Sequence, residues 1–171
     1  PIVYAGAPPY NTPLCGAGTA DPTTGVGSEP AFDPGELAGK IVVCDRGTYG
    51  RVAKGQEVLD AGGIGMVLAN DAASGDSLTA DMHVLPAVHI SFDDGVALKN
   101  WIAAGGAPTA RITGLVENTA AANGDVMASF SWRGPYRSVP GVIKPDVTAP
   151  GVDISAALNT PLTSLPPTPH E

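Results

Sequence analysis

The chain has 171 residues, room for one medium domain or a domain with an appended segment, and enough to bury a core without cross-links. Hydrophobic residues make up 43% and charged residues 15%, and the 22 glycines and 17 prolines follow no triplet period, so collagen and pure disorder are poor readings. Nine Lys and Arg are scattered among 17 Asp and Glu for a net charge of −8, which leaves no concentrated basic surface for a phosphate backbone and disfavours nucleic-acid binding.

Residues 5–38 are rich in Gly, Pro, Ala and Thr and are expected to form an irregular approach segment with at most short strands. Order begins at Gly39. The run Lys40-Ile41-Val42-Val43-Cys44 is short, apolar and β-branched, the signature of a buried strand, and Asp45-Arg46-Gly47 turns the chain. Residues 51–61 change to a helical period, with Val52, Gly55, Leu59 and Gly62 on one face and Arg51, Lys54, Gln56, Glu57 and Asp60 as its polar residues. Gly62-Gly63 stops the helix.

A second buried strand is expected over 64–69, a polar loop over 70–82, and a third strand over 87–90. Ser91 followed by Asp94 predicts a capping box, and the helix after it should place Leu98, Trp101 and Ile102 together, with Trp101 in the core. Gly105-Gly106 ends that helix, and the alternation from Thr109 to Val116 predicts a last strand. The pattern from 40 to 116 is therefore β-α-β-β-α-β: a mixed, β-rich α/β domain whose sheet carries flanking short helices. Residues 117–125 suit a linker, 126–158 hold two more short strands (126–130 and 152–156), and 159–171 form a proline-rich tail expected to be mobile. No run approaches 18 apolar residues, so no membrane span is expected. The opening Pro1-Ile2-Val3-Tyr4 carries neither Met nor a leader pattern, as expected of an internal portion of a longer protein.

Few motifs carry chemistry. Gly62-Gly63-Ile64-Gly65 runs helix, glycines, strand, the reverse of a dinucleotide loop, which aims a helix N-terminus at the anion, so no cofactor is expected. His83 and His89 have no convergent third ligand, so structural roles are expected and no metal. Ser131 lacks both a Gly-x-Ser-x-Gly elbow and an evident base. Cys15 and Cys44 leave two readings open, one disulfide or two buried thiols.

Two stretches go further. Gly39-Lys40-Ile41-Val42-Val43-Cys44-Asp45-Arg46-Gly47 resembles the hallmark strand of protease-associated (PA) domains found inserted in plant and bacterial subtilases. The resemblance continues through Lys54-Gly55, the run from Ala61 to Asn70, the run from His83 to Val88, and Asp94-Gly95, covering roughly residues 1–115. The stretch from Met127 to Pro135, with Ile143 to Gly151, is similar to the subtilase catalytic segment that precedes the nucleophile. Trp132 stands where that family usually has a small polar residue.

The resemblance implies a swivelling β/β/α fold, with a barrel-like or sandwich-like sheet. It also implies a parent serine endopeptidase, whose Asp, His and Asn motifs precede the inserted domain and whose Gly-Thr-Ser-Met-Ala motif follows Ala149-Pro150-Gly151. None of the four motifs occurs in this chain, so no catalytic residue carries over and the chain by itself is expected to be a non-catalytic module. A secreted or extracellular parent follows from the same resemblance, and export favours the disulfide reading of Cys15 and Cys44. The expected partners are the rest of the parent protease and a peptide or protein substrate. The candidate contact surface is the loop 70–86, with Asp71, Asp76, Asp81 and His83. A stand-alone receptor domain and a structural spacer are the other readings. Strands removed from a parent sheet expose Val126, Met127, Phe130, Val147 and Ile154, so residues 126–158 are expected to pack on the PA domain, to self-associate with another copy, or to stay disordered.

Overall fold

A computed structural model of the chain describes residues 1–114, together with 119–121, 127, 128, 131, 141, 147, 149 and 151. The chain divides into two compact units, Pro1–Glu117 and Asn118–Glu171. Of the strands expected at 126–130 and 152–156, only residues 127 and 128 are described, and neither lies in a strand. The tail 159–171 and the other residues of the self-association surface, Met127 and Val147 apart, lie outside the described residues.

The first unit is built on a four-stranded parallel sheet in the order β1 (Ile2–Tyr4), β4 (Ile41–Asp45), β5 (Gly65–Ala69), β6 (Ala87–Ile90). Between β1 and β4, β2 (Ala17–Ala20) and β3 (Gly27–Glu29) form a separate antiparallel pair. Two helices complete it, α1 (Arg51–Asp60) between β4 and β5, and α2 (Phe92–Ala103) after β6. This is a mixed α/β architecture with flanking helices.

Strands β4 and β5 are continuous apolar runs because both faces of the sheet are covered. Their pairing sets Val42 beside Met66, Val43 beside Val67 and Cys44 beside Leu68. Alternation then sorts the side chains. Val42, Cys44, Met66 and Leu68 face one core with Val58 and Ala61 from the α1 side, and with Leu37, Phe32 and Leu85 from the connecting loops. Ile41, Val43, Val67 and Ala69 face a second core with Ile2, against which Leu98, Ile102 and Ile112 pack. Cys15 and Cys44 are joined by a disulfide across 5.6 Å between their Cα atoms, and both are fully buried in the first core.

Helix α1 ends in a Schellman turn. Gly63 N–H donates to the Val58 carbonyl and Gly62 N–H to the Leu59 carbonyl, both at 2.8 Å, and Gly62 takes the left-handed conformation (φ +85°) that this closure needs. The inward face of α1 differs from the expected one. Ala53, Lys54, Gly55 and Val58 are buried, while Leu59 is exposed. The reason is Lys54. Its stem fills the core position and its ammonium donates to the Leu14 carbonyl beside the Tyr49 ring, so a residue counted as polar takes the place of an apolar one. Burial pushes its pKa down to about 8, offset in part by the charge of Asp45.

Helix α2 starts at Ser91, whose hydroxyl accepts from Asp94 N–H at 3.1 Å and donates to the Asp94 carboxylate at 2.8 Å. Its inward row is Gly95, Leu98 and Ile102. Trp101 lies one position off that row and is half exposed, so the expectation of a core tryptophan is corrected. The strand expected over 109–116 is also corrected for its described part: residues 109–114 form no ladder. Their alternation still has a physical basis, because Ile112 packs on the second core and the Pro108 carbonyl accepts from Ile2 N–H at 3.0 Å.

Gly95 is where α2 comes closest to the sheet; a Cβ there would sit 2.8 Å from the Ala69 Cβ. Gly95→Val is expected to lift the helix and cost about 1–3 kcal/mol. Urea unfolding followed by far-UV circular dichroism checks this, with a lower midpoint at unchanged slope as the expected outcome.

Candidate functional site

Every residue of β5 is buried, so this strand offers a partner no side chain of its own, and exposed groups come from the residues past its end. The longest connection between successive elements of the first unit runs from Asn70 to Pro86, between β5 and β6. Asn70 is the first residue past the strand and is 2% exposed. Its amide nitrogen donates to the carbonyls of Gly75 (2.9 Å) and Ser77 (3.0 Å). Its amide oxygen accepts from an Arg46 guanidinium nitrogen at 3.1 Å. Two carbonyls on one side and an arginine on the other allow only this orientation of the amide.

That orientation fixes the tautomer of His89 on β6. His89 Nε2 lies 2.7 Å from the Asn70 oxygen, which has only lone pairs to offer, so Nε2 carries the proton and donates. Nδ1 is then the acceptor in the neutral ring, and Thr79 N–H donates to it at 3.1 Å. Burial holds His89 below the usual histidine range, with the charges of Arg46 and Arg51 acting in the same direction; the Thr79 backbone and Asp81 act against it. Asn70 thus satisfies both its donor hydrogens and both its acceptor positions. It ties β4, β6 and two points of the loop together.

The loop has an inner and an outer row. From 77 to 89, odd-numbered residues turn inward and even-numbered residues are exposed, the period of an extended chain. The inner row includes Asp81, paired through both carboxylate oxygens with the Arg51 guanidinium at the start of α1. That hydrogen-bonded pairing keeps Asp81 below the usual carboxylate range. The inner row also includes His83, packed where a Cβ on Gly55 would come within 3.2 Å of its Nδ1. That Nδ1 is buried and has no hydrogen-bond partner, and burial pushes His83 below the usual histidine range. The outer row is Leu78, Ala80, Met82, Val84, Pro86 and Val88, with Met82 67% exposed.

Of the four loop residues singled out in the sequence, Asp81 and His83 come together beneath the loop. Asp71 and Asp76 stand apart at its exposed start, where the Asp71 carboxylate accepts from Ser74 N–H at 2.9 Å. The loop therefore presents an apolar row where its composition pointed to an acidic surface. Asn70, His89, Arg46 and Arg51 were not singled out as site residues. The one sequence signal for them was a lone Asn just past one apolar strand and a lone His within another. Among the described residues no group of three or more His, Cys, Asp or Glu could hold a metal ion, and no helix is long and apolar enough to cross a membrane.

Asn70→Ala would strand the Arg46 and His89 donors and release the two loop carbonyls, at an expected cost of about 1–3 kcal/mol. Asn70→Asp keeps the acceptor for Arg46 and His89 but sets carboxylate oxygen against the Gly75 and Ser77 carbonyls. Both variants are expected to speed protease nicking within 71–86 while the sheet stays folded, as limited proteolysis with mass mapping would show.

Comparison with known proteins agrees with this architecture. The family model for the PA domain matches residues 1–98. Similar curated proteins include three from Arabidopsis thaliana. Subtilisin-like protease SBT1.7 is 41% identical over 159 residues, covering 92% of this chain and 19% of the relative. Subtilisin-like protease SBT1.3 is 42% identical over 157 residues, 92% of this chain and 19% of the relative. Subtilisin-like protease SBT5.4 is 45% identical over 127 residues, 74% of this chain and 16% of the relative. The chain spans about a fifth of the length of these relatives. Matches of 157 and 159 residues cannot be contained in residues 1–98, so the similarity to the proteases continues beyond the part that the family model covers. On the family match, the parallel sheet and its flanking helices, the chain belongs to the PA domain family.

Proposed function

We propose that this chain is the non-catalytic PA domain of a subtilisin-like serine endopeptidase, joined to a short catalytic-domain segment over 126–158, and that it modulates substrate access, substrate binding or partner contact. Similarity to subtilisin-like proteases along nine-tenths of the chain supports the parent enzyme and weighs against a stand-alone receptor. The rest of the parent protease and a peptide or protein substrate are the partners in this reading. The buried Cys15–Cys44 disulfide supports a secreted or extracellular setting, where such bonds persist.

The observation that carries the modulating role is the outer row of the 78–88 segment. Six consecutive outward positions are apolar, on a backbone held from beneath by Asn70 and by the Arg51–Asp81 pair. A domain that only filled space would have no use for such a row, because solvent-facing positions on a spacer favour charge. Catalysis is assigned to the parent alone. A serine nucleophile needs a positioned base and oxyanion donors within hydrogen-bond reach, and the motifs that supply them are missing from this sequence.

Two measurements test this. The purified chain is expected not to hydrolyse casein or peptide substrates; turnover that survives repurification and is blocked by a serine-directed inhibitor would overturn the non-catalytic assignment. In the full-length protease, Met82→Glu with Val84→Glu is expected to change the ratio of kcat/KM between long and short substrates at unchanged thermal stability. Lost stability with unchanged selectivity would instead identify the domain as a spacer.

A further inference from the structure

Beneath the loop lie two imidazoles whose burial favours the neutral form. We propose that the 70–89 segment is a proton-released clasp: charging His89 and His83 undoes the inner contacts that the two rings make and loosens residues 71–86, which stay tied to α1 by the Arg51–Asp81 pair, while the sheet beneath stays folded. The clasp is a property of the loop itself and stands whether or not its outer row meets a substrate.

The geometry is specific at His89. With Nε2–H committed to the Asn70 oxygen at 2.7 Å, the second proton can only go to Nδ1. Nδ1 is the acceptor that Thr79 N–H uses at 3.1 Å, and the Thr79 carbonyl lies at the same distance. Protonation therefore sets Nδ1–H against Thr79 N–H and favours the Thr79 carbonyl in its place. The Thr79 N–H thereby loses its acceptor near the start of the extended segment, and the contact passes to the Thr79 carbonyl. His83 has no such alternative. Its Nδ1 is buried without a partner, so a proton placed there is a buried donor with no acceptor unless the loop lifts.

The charges around the two rings are mixed. Arg46 reaches the cluster from the end of β4, through the Asn70 oxygen and, at 3.4 Å, the Ser77 carbonyl. Arg51 reaches it from α1, Asp81 from the loop, and each imidazole faces the other's charge. Asp81 is the one anion among these groups, and it is already paired with Arg51. Two added positive charges thus meet two guanidiniums, each other, and a carboxylate whose charge is largely used. The direction of both histidine shifts agrees with this.

The sign follows from linkage. Each histidine is held below its unfolded value, so the closed loop binds fewer protons than the open one. Closure is therefore fully favoured above the unfolded histidine value of about 6.5 and is lost as pH falls through the lower folded values.

Amide hydrogen exchange of the 171-residue chain, corrected for intrinsic rates, tests the clasp between pH 7.5 and 5.0. Protection of residues 77–84 is expected to fall by about tenfold or more, since up to two protons are taken up on opening, while β4 and β5 keep theirs. In His83→Leu/His89→Gln the fall is expected to shrink to less than about twofold. A wild-type loop whose protection does not change with pH overturns the proposal, and so does a double variant that keeps the full dependence. If the double variant does not fold, NMR titration of the wild-type imidazoles decides: values below about 6.5, with the Thr79 amide following the same curve, support the clasp, and values at or above 6.5 overturn it.

Discussion

Strands β4 and β5 are covered on both faces, and most of this structure follows from that constraint. Of the ten residues Ile41–Asp45 and Gly65–Ala69, eight are divided between two cores, and all but Asp45 are buried. A strand in that position can hold no binding chemistry of its own. It can only aim what lies past its C-terminal end. At the end of β4 stand Asp45 and Arg46, and at the end of β5 stands Asn70. Asp45 accepts from the Tyr4 hydroxyl at 2.6 Å and from the Lys99 ammonium at 2.8 Å, which fastens β1 and α2 to the sheet. Arg46 and Asn70 fasten the long loop. The same edge of the sheet therefore does two jobs, one structural and one that shapes the exposed surface.

Asn70 suits the second job because an amide has donors and acceptors on one rigid plane. The loop offers carbonyls at Gly75 and Ser77, while β4 and β6 offer donors from Arg46 and His89, and only a side chain with both kinds of group satisfies all four. A fully satisfied buried polar group specifies one arrangement, since any shift leaves a partner unpaired. Polar residues hold the loop from inside, and apolar side chains are left outside, the reverse of a packed core. Exposed apolar residues on a segment fixed in this way keep their spacing, so a partner does not have to order them on binding.

The parts of the fold most legible in the sequence were those governed by one local rule. β4 and β5 stood out as β-branched and apolar runs, α1 ended at Gly62-Gly63, and Ser91 with Asp94 marked the start of α2. Legibility failed where a side chain is amphipathic or a tertiary contact decides. Lys54 sits in a core position because its stem is apolar and its ammonium finds a carbonyl, so the inward face of α1 could not be read from polarity. The alternation at 109–114 reflects one anchored isoleucine and no ladder. β1, at three residues, is too short to stand out before its parallel pairing with β4 is known. The loop was legible as a loop and as a place of interest, but its two rows were not. Which of Asp76, Asp81, His83 and Met82 face inward depends on the phase of the extended backbone, and Asn70 sets that phase from outside the segment.

The ionisable groups beneath the loop also differ in when they respond to acid. His83 and His89 are held below their unfolded value by burial, so they withdraw their support as pH falls below about 6.5. Asp81 is held below its own unfolded value by Arg51, so its support remains until pH falls below the carboxylate range. The histidines therefore act first, on the Thr79 side of the loop, while the Arg51–Asp81 pair still ties the middle of the loop to α1. Lys54 responds at the other end of the scale. With its value lowered to about 8, the native state releases a proton that the unfolded chain still holds, and stability rises with pH between about 8 and 10.4. The loop and the helix beneath it thus respond to protons in separate windows. Mild acid can loosen the outer row before it reaches the contact that anchors the loop to α1.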